Sequence, residues 1–273
     1  MIANNIFLLD NKLMDIILVV IFAVLGLCFG SFVNAWVWRT KEGKSVVKGR
    51  SMCQDCKHQL SALDNIPLVS YLILRGKCRY CHKSISIQYP LVELITSLLF
   101  VALYLYFAPT DIYQWFLLVT WCVITVLLMA AFVYDLRWML LPDKFTLPVV
   151  AIAVVLLIVQ ATQYGLASIY GQLIATLVFA GFYLAIWVLS KGKLLGGGDI
   201  RLALLMGLLL SVPQLLVAVF IAYTVGALVG VLLIALKLKK RTDAVPLAPF
   251  LIFGLYFGLF FGNQISSWYL SMI

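Results

Sequence analysis

Long hydrophobic runs alternate with short polar segments along almost the whole chain. Most runs have about the 20 residues that an α-helix needs to cross the ~30 Å hydrocarbon core of a bilayer. The pattern predicts an all-α polytopic membrane protein with eight transmembrane helices. We expect the spans at about residues 14–37, from 90 to a turn at 108–111, 113–134, 145–159, 171–189, 196–212, 215–236 and 247–268.

Composition supports this class of protein. The 273 residues are 64% hydrophobic and 11% charged, which is unlike any ordinary soluble domain. The first hydrophobic run is long and lacks a small-x-small exit site, so we expect it to remain as a membrane span rather than to be removed as a signal peptide.

The net charge of +9 follows the predicted topology. Threading eight spans with both termini outside places 19 of the 20 Lys and Arg residues on one side of the membrane, and only Lys12 on the other. Cytoplasmic loops carry such an excess of cations. The charge therefore indicates orientation in a lipid bilayer, and it does not indicate a nucleic-acid partner.

Residues 39–88 form the one segment large enough for a soluble subdomain, with ten cations and three acids. We expect this subdomain to be cytoplasmic. The predicted division is therefore an N-terminal segment with the first span at 1–38, the subdomain at 39–88, and a core of seven helices at 89–273.

Two C-x-x-C pairs lie in this subdomain, 21 residues apart, and consist of Cys53, Cys56, Cys78 and Cys81. Four thiolates at this spacing favour a tetrahedral zinc site over a redox pair, because cytoplasmic thiols stay reduced. Such a site has no open position, so we expect the zinc to be structural. The neighbouring His58 and His82 are not needed as ligands. The spacing does not distinguish zinc from iron.

The stretch Gly196-Gly197-Gly198-Asp199 places a carboxylate after three glycines, at the start of a hydrophobic run. An ionisable group at a membrane boundary is costly unless it has a function. Glycines leave the backbone accessible to a substrate strand. This arrangement suits an aspartic protease of the membrane, which needs a second carboxylate. Asp135, at the end of the third span, is the best candidate, although Asp199 could also simply cap a helix.

Two further polar residues lie in hydrophobic runs. Glu93 is one turn into the second span, and Asn34 is near the cytoplasmic end of the first. Each is a candidate for supporting a site or for a hydrogen bond between helices. The nearby Gly26 and Gly30 form a G-x-x-x-G step, which predicts close packing of the first span against another helix.

Four blocks together give the chain its resemblance to the type IV prepilin peptidases, from about Gly26 to Phe253. They are the segment from Gly26 to Arg39, the two C-x-x-C pairs running into Tyr89-Pro90-Leu91-Val92-Glu93, Asp135 followed by Leu141-Pro142-Asp143, and Gly196-Gly197-Gly198-Asp199. A fifth stretch, from Val245 to Phe250, is less similar to the family pattern.

The resemblance implies a membrane aspartic endopeptidase in a prokaryotic cell (inner) membrane, with Asp135 and Asp199 as its catalytic pair. Asp143 competes with Asp135 for the first place. The implied substrates are type IV prepilins or pseudopilins, whose short basic leader is cut off after a glycine at the cytoplasmic face. The family also N-methylates the new N-terminus with S-adenosylmethionine, for which the sequence offers no separate motif.

Two alternatives remain open. One is an intramembrane protease of the presenilin or signal peptide peptidase type, which shares the Gly-x-Gly-Asp stretch but has no zinc subdomain between its first spans. The other is a transporter with a zinc-stabilised cytosolic domain, in which the intramembrane acids bind ions or protons. A third reading, a membrane-tethered nucleic-acid-binding ribbon, is disfavoured because residues 39–88 offer few aromatic residues for base stacking.

Overall fold

The structure is a computed structural model that describes residues 2–46, 48–241 and 243–272, with side chains from Leu13 onward. Lys12 is the one cation predicted on the outside, and its side chain is not among those that the structure describes. Nine α-helices occur in the described parts of the chain: α1 Ile2–Lys41, α2 Val69–Ile73, α3 Gln88–Phe107, α4 Ile112–Trp138, α5 Asp143–Tyr164, α6 Ala167–Leu189, α7 Gly197–Leu209, α8 Val212–Ala235 and α9 Ala248–Leu270.

Seven of these helices are long and hydrophobic enough to cross a membrane, namely all except α2 and α7. They correspond to seven of the eight predicted spans and confirm the all-α polytopic class. The predicted span at 196–212 differs, because α7 has only 13 residues. At 1.5 Å per residue it measures about 20 Å, which is less than the hydrocarbon thickness of about 30 Å.

The chain divides into two compact units, Met1–Ala130 and Ala131–Ile273. In the first unit, α1 packs along α3. A Cβ atom at Gly26 would lie 2.5 Å from the Cα of Ser97, and one at Gly30 would lie 2.6 Å from the Cα of Glu93. Only glycine permits such an approach of two backbones, so the predicted close packing at this G-x-x-x-G step is confirmed.

In the second unit, α7 packs against α5, α6, α8 and α9. The contact between α8 and α9 is also made close by glycines, in this case Gly254, Gly258 and Gly262 of α9. Each faces the backbone of α8 so closely that an added Cβ would come within 2.6 Å of it. These contacts pack α8 and α9 closely along their length.

Candidate active site and metal centre

Asp135 lies in the last turn of α4, and only 5% of its surface is exposed. The backbone N–H of Ala248, the first residue of α9, donates a hydrogen bond to its carboxylate. Its Oδ2 atom is buried and has no hydrogen-bond partner among the described residues. A buried carboxylate oxygen without a protein partner is costly, so it is a natural position for a ligand or a water.

Asp199 is the third residue of α7. Its Oδ2 accepts a hydrogen bond from the N–H of Gly196 at 3.1 Å, across the start of the helix. The side chain is half-buried, and its carboxylate interacts electrostatically with that of Asp135. The second unit thus brings together two acids that are 64 residues apart, and each accepts a hydrogen bond from the N-terminal end of a helix, where the dipole favours negative charge.

The three glycines before Asp199 have different surroundings. A Cβ atom at Gly198 would lie 2.5 Å from the Cβ of Leu141, in the loop that follows α4. A Cβ atom at Gly197 would meet nothing within 4 Å. Gly198 therefore lets the loop that follows α4 touch the start of α7, while Gly197 leaves an open stretch of backbone.

We expect Gly198→Ala to lower the free energy of unfolding by about 1–3 kcal/mol, because the added methyl group overlaps the Cβ of Leu141 and forces the start of α7 away from the loop that follows α4. Gly197→Ala is the matched control and should change it by less than about 0.5 kcal/mol. Thermal unfolding of both variants in detergent measures the difference. Equal stability of the two variants would contradict the close contact between Gly198 and Leu141.

Asp143, the competing acid, is the first residue of α5, and its side chain is largely exposed. Its carboxylate is paired with the guanidinium group of Arg201, two residues beyond Asp199. The pair joins the start of α5 to the second turn of α7. The carboxylate of Asp143 is therefore already paired with a cation, whereas Oδ2 of Asp135 has no hydrogen-bond partner among the described residues.

The four predicted cysteines come together in the first unit. The Sγ atoms of Cys53, Cys56, Cys78 and Cys81 all lie within 4.8 Å of one another, and those of Cys53 and Cys81 are 3.9 Å apart. Four sulfurs at about 2.3 Å from a tetrahedral zinc ion would be separated by about 3.8 Å. The cluster therefore fits a metal ion bound by four thiolates.

The two halves of the cluster have the same local structure. Isolated β-bridges join Met52 to Gln59 and Lys77 to Ser84, so each C-x-x-C pair lies in a short turn closed by one bridge. In both turns the residue four positions after the first cysteine, Lys57 and His82, has a positive φ near 60°. This repeat points the four sulfurs toward a common centre.

Asp64 anchors the second of these turns. Its carboxylate accepts hydrogen bonds from Arg79 at 2.7 Å, Tyr80 at 3.1 Å and Ser61 at 2.8 Å, and only 2% of its side chain is exposed. Burial alone would raise the pKa of this carboxyl, but these hydrogen bonds lower it to about 2. The sequence analysis did not single out Asp64; an acid in so basic a segment was the available signal.

The lowered pKa of Asp64 means that its contribution to stability is complete above about pH 4 and is lost only as the pH falls toward 2. At pH 7 we expect Asp64→Asn to lower the free energy of unfolding of the metal-loaded protein by up to about 2 kcal/mol. Chemical unfolding at pH 6 and pH 8 should give the same difference. A difference that vanishes at pH 8 would contradict this explanation.

Glu93 and Asn34 lie in the first unit, where α1 meets α3. Glu93 is almost fully buried; its Oε2 accepts a hydrogen bond from the N–H of Leu68 at 2.8 Å, and Ser31 donates a second one to the carboxylate. Asn34 donates from Nδ2 to the backbone oxygen of Tyr89 at 3.1 Å. Both side chains thus tie structural elements together, and their predicted role in supporting a site stays a prediction.

Two family models match successive parts of the chain. Residues 24–107 match the model of the bacterial peptidase A24 N-terminal domain. Residues 122–231 match the model of the type IV leader peptidase family. No solved structure matches the chain.

Several curated relatives are similar over most of their length. The chain is 36% identical to a prepilin leader peptidase/N-methyltransferase of Aeromonas hydrophila, over 81% of this chain and 75% of the relative. It is 30% identical to a protein of the same name from Bacillus subtilis, over 91% of this chain and 96% of the relative. Because both family models and relatives of this similarity cover most of the sequence, the chain belongs to the type IV leader peptidase family.

Proposed function

We propose that the protein is a membrane aspartic endopeptidase that removes the leader of type IV prepilins or pseudopilins, with Asp135 and Asp199 as its catalytic pair. The observation that carries this proposal is the electrostatically interacting pair of acids, each hydrogen-bonded to the N-terminal end of a helix. The substrate class comes from the names of the relatives.

The pair works by sharing one proton, because two carboxylates held close together do not both ionise easily. Asp199, in the first turn of α7, carries the negative charge and acts as general base on a water molecule. Asp135, with its unpartnered Oδ2, carries the shared proton and donates it to the oxygen of the scissile carbonyl. In the second step Asp199 gives the proton that it took from water to the leaving amine, and Asp135 regains a proton from a hydroxyl group of the tetrahedral intermediate. Water adds to the carbonyl carbon, and the C–N bond breaks.

The open backbone at Gly197 is suited to binding the substrate. Since nothing lies within 4 Å of the position of its missing side chain, an extended segment of the substrate can approach it. We assign the site to the cytoplasmic face, where the positive-inside pattern places the basic loops and where a basic leader would remain. The hydrophobic segment of the substrate then lies in the membrane.

The four cysteines hold a structural zinc ion in a subdomain of residues 39–88. A tetrahedral set of four thiolates suits zinc and leaves no position open for catalysis. The ion supplies folding free energy to a segment that is too small for a hydrophobic core of its own.

The second activity, N-methylation of the new N-terminus with S-adenosylmethionine, rests on the names of the relatives. The methyl group would pass from the sulfonium of the cofactor to the amine that cleavage has just released. Mass spectrometry of the processed pilin, with and without added S-adenosylmethionine, tests it by the mass of one added methyl group.

The peptidase proposal is tested by incubating the purified protein in detergent with a prepilin whose gene lies near its own. We expect two products, a short basic leader and a mature pilin, with the cut after the glycine that ends the leader. A matched prepilin with that glycine replaced by a bulky residue should stay intact. Equal cleavage of both, or cleavage elsewhere, would contradict the proposal.

A further inference from the structure

Two tyrosines meet inside the second unit, on helices that are both long enough to span the membrane. The hydroxyl oxygens of Tyr183 on α6 and Tyr223 on α8 are 2.6 Å apart. Tyr183 is 0% exposed, whereas Tyr223 is 42% exposed. The proposed mechanism does not use either residue, and the sequence analysis did not single them out.

The packing of α6 on α7 places this pair beside the acids. Gln172 of α6 donates to the backbone oxygen of Leu208 at 2.7 Å, and a Cβ atom at Gly207 would lie 2.6 Å from the Cα of Thr176. Between these two contacts the residue number increases on α6, from 172 to 176, and decreases on α7, from 208 to 207. The two helices are therefore antiparallel.

The helical rise then gives the level of each side chain. Tyr183 is seven residues, or about 10 Å, beyond Thr176, and Asp199 is eight residues, or about 12 Å, before Gly207. The two residues therefore lie at nearly the same level along the packed helices. Consistent with this, the hydroxyl of Tyr183 interacts electrostatically with Asp199.

The direction of the hydrogen bond between the hydroxyls follows from their burial. Two hydroxyls share one hydrogen bond, which leaves one of the two protons without an acceptor. If Tyr223 donated, the unused proton would belong to Tyr183, which is fully buried and has no other hydrogen-bond partner among the described residues. The less costly arrangement has Tyr183 donating to Tyr223, whose own O–H is then available at the surface of α8.

An O–H group on a membrane-spanning helix cannot be satisfied by lipid tails. A substrate segment that is extended for cleavage has the opposite problem, because its backbone carbonyls have lost their helical partners. If the O–H group donates to a backbone carbonyl of the substrate beside the catalytic acids, the hydroxyl gains an acceptor and the carbonyl gains a donor. Donation by Tyr183 also polarises the hydroxyl of Tyr223 and strengthens it as a donor.

We propose that Tyr223 binds the substrate by donating a hydrogen bond to a backbone carbonyl next to the scissile peptide bond, and that Tyr183 is a positioning residue that orients this hydroxyl. This proposal rests on the proposed peptidase function and adds a substrate-binding group to the same site.

Three variants test the assignment: Tyr223→Phe, Tyr183→Phe and the double variant, with Tyr170→Phe at the other end of α6 as the matched control. Each of the three should cleave prepilin with a kcat/KM lowered by about tenfold, the value of one hydrogen bond. The double variant should be no slower than Tyr223→Phe alone, because Tyr183 acts only through Tyr223. Tyr170→Phe should cleave at the wild-type rate.

Thermal unfolding separates binding from a structural role. Tyr223→Phe leaves the buried hydroxyl of Tyr183 without a partner and should lower Tm, whereas the double variant removes both hydroxyls and should recover most of that loss. We expect stability to recover in the double variant while cleavage stays about tenfold slower. The assignment of Tyr223 would be overturned if the double variant recovered both its stability and its rate of cleavage, or if Tyr223→Phe were fully active. Either result would leave the peptidase in place. Failure of the wild-type protein to cleave would overturn the peptidase and this proposal together.

Discussion

Replacing Asp135 or Asp199 with asparagine is expected to lower the rate of prepilin cleavage by about a thousandfold or more. Asparagine has the shape of aspartate and keeps an oxygen that can accept the N–H of Ala248 or Gly196, so the fold should survive. It can neither take a proton from water nor give one to the leaving amine. General acid–base catalysis contributes about 10²–10⁴-fold, and both of its partners must be present for it to operate.

Asp143→Asn is the matched control for these two variants. Its carboxylate is largely exposed and paired with Arg201, and an exposed ion pair contributes at most about 1 kcal/mol. We therefore expect cleavage within about fivefold of the wild-type rate. A large loss in Asp143→Asn together with full activity of Asp135→Asn would transfer the first catalytic role to Asp143.

Cys78→Ser is expected to release the metal ion and unfold the segment of residues 39–88. Cys78 is buried, and its sulfur is one of the four that converge on the cluster. The binding free energy of structural zinc, about 10–16 kcal/mol in small domains, is also folding free energy. Elemental analysis should find one zinc ion per chain in the wild-type protein and almost none in the variant. Limited proteolysis should then cut between residues 39 and 88.

Cys28→Ser provides the control, because Cys28 lies on α1 away from the cluster and is exposed. It should keep its metal and resist proteolysis. Full zinc content in Cys78→Ser would contradict the four-thiolate site. Iron instead of zinc in the wild-type protein would leave the site intact and change only its metal.

The spans were predictable because length and hydrophobicity report directly on the bilayer. The prediction of a span at residues 196–212 rested on a short hydrophobic run. Gly196 precedes the start of α7, and an extended Leu210 ends it, so that only 13 residues are helical.

The metal ligands were predictable because spacing along the chain determines how two C-x-x-C turns fold. Partners from distant segments were not. Ala248 lies more than a hundred residues from the carboxylate of Asp135 that it binds, and Tyr183 and Tyr223 are 40 residues apart on different helices. No periodic pattern marks such contacts, since they depend on which helices become neighbours and at what level.

The most direct test of the paired acids is the binding of a prepilin peptide in which a tetrahedral hydroxymethylene group replaces the scissile carbonyl. Such a group resembles the tetrahedral intermediate that the proposed pair of carboxylates would form from water and the scissile carbonyl. Transition-state analogues bind at least about 10²-fold more tightly than substrates. We expect this peptide to bind the wild-type protein at least about a hundredfold more tightly than the natural sequence does, and we expect Asp135→Asn and Asp199→Asn each to abolish the difference. Equal affinity of the wild-type protein for both peptides would contradict a water-activating pair formed by Asp135 and Asp199.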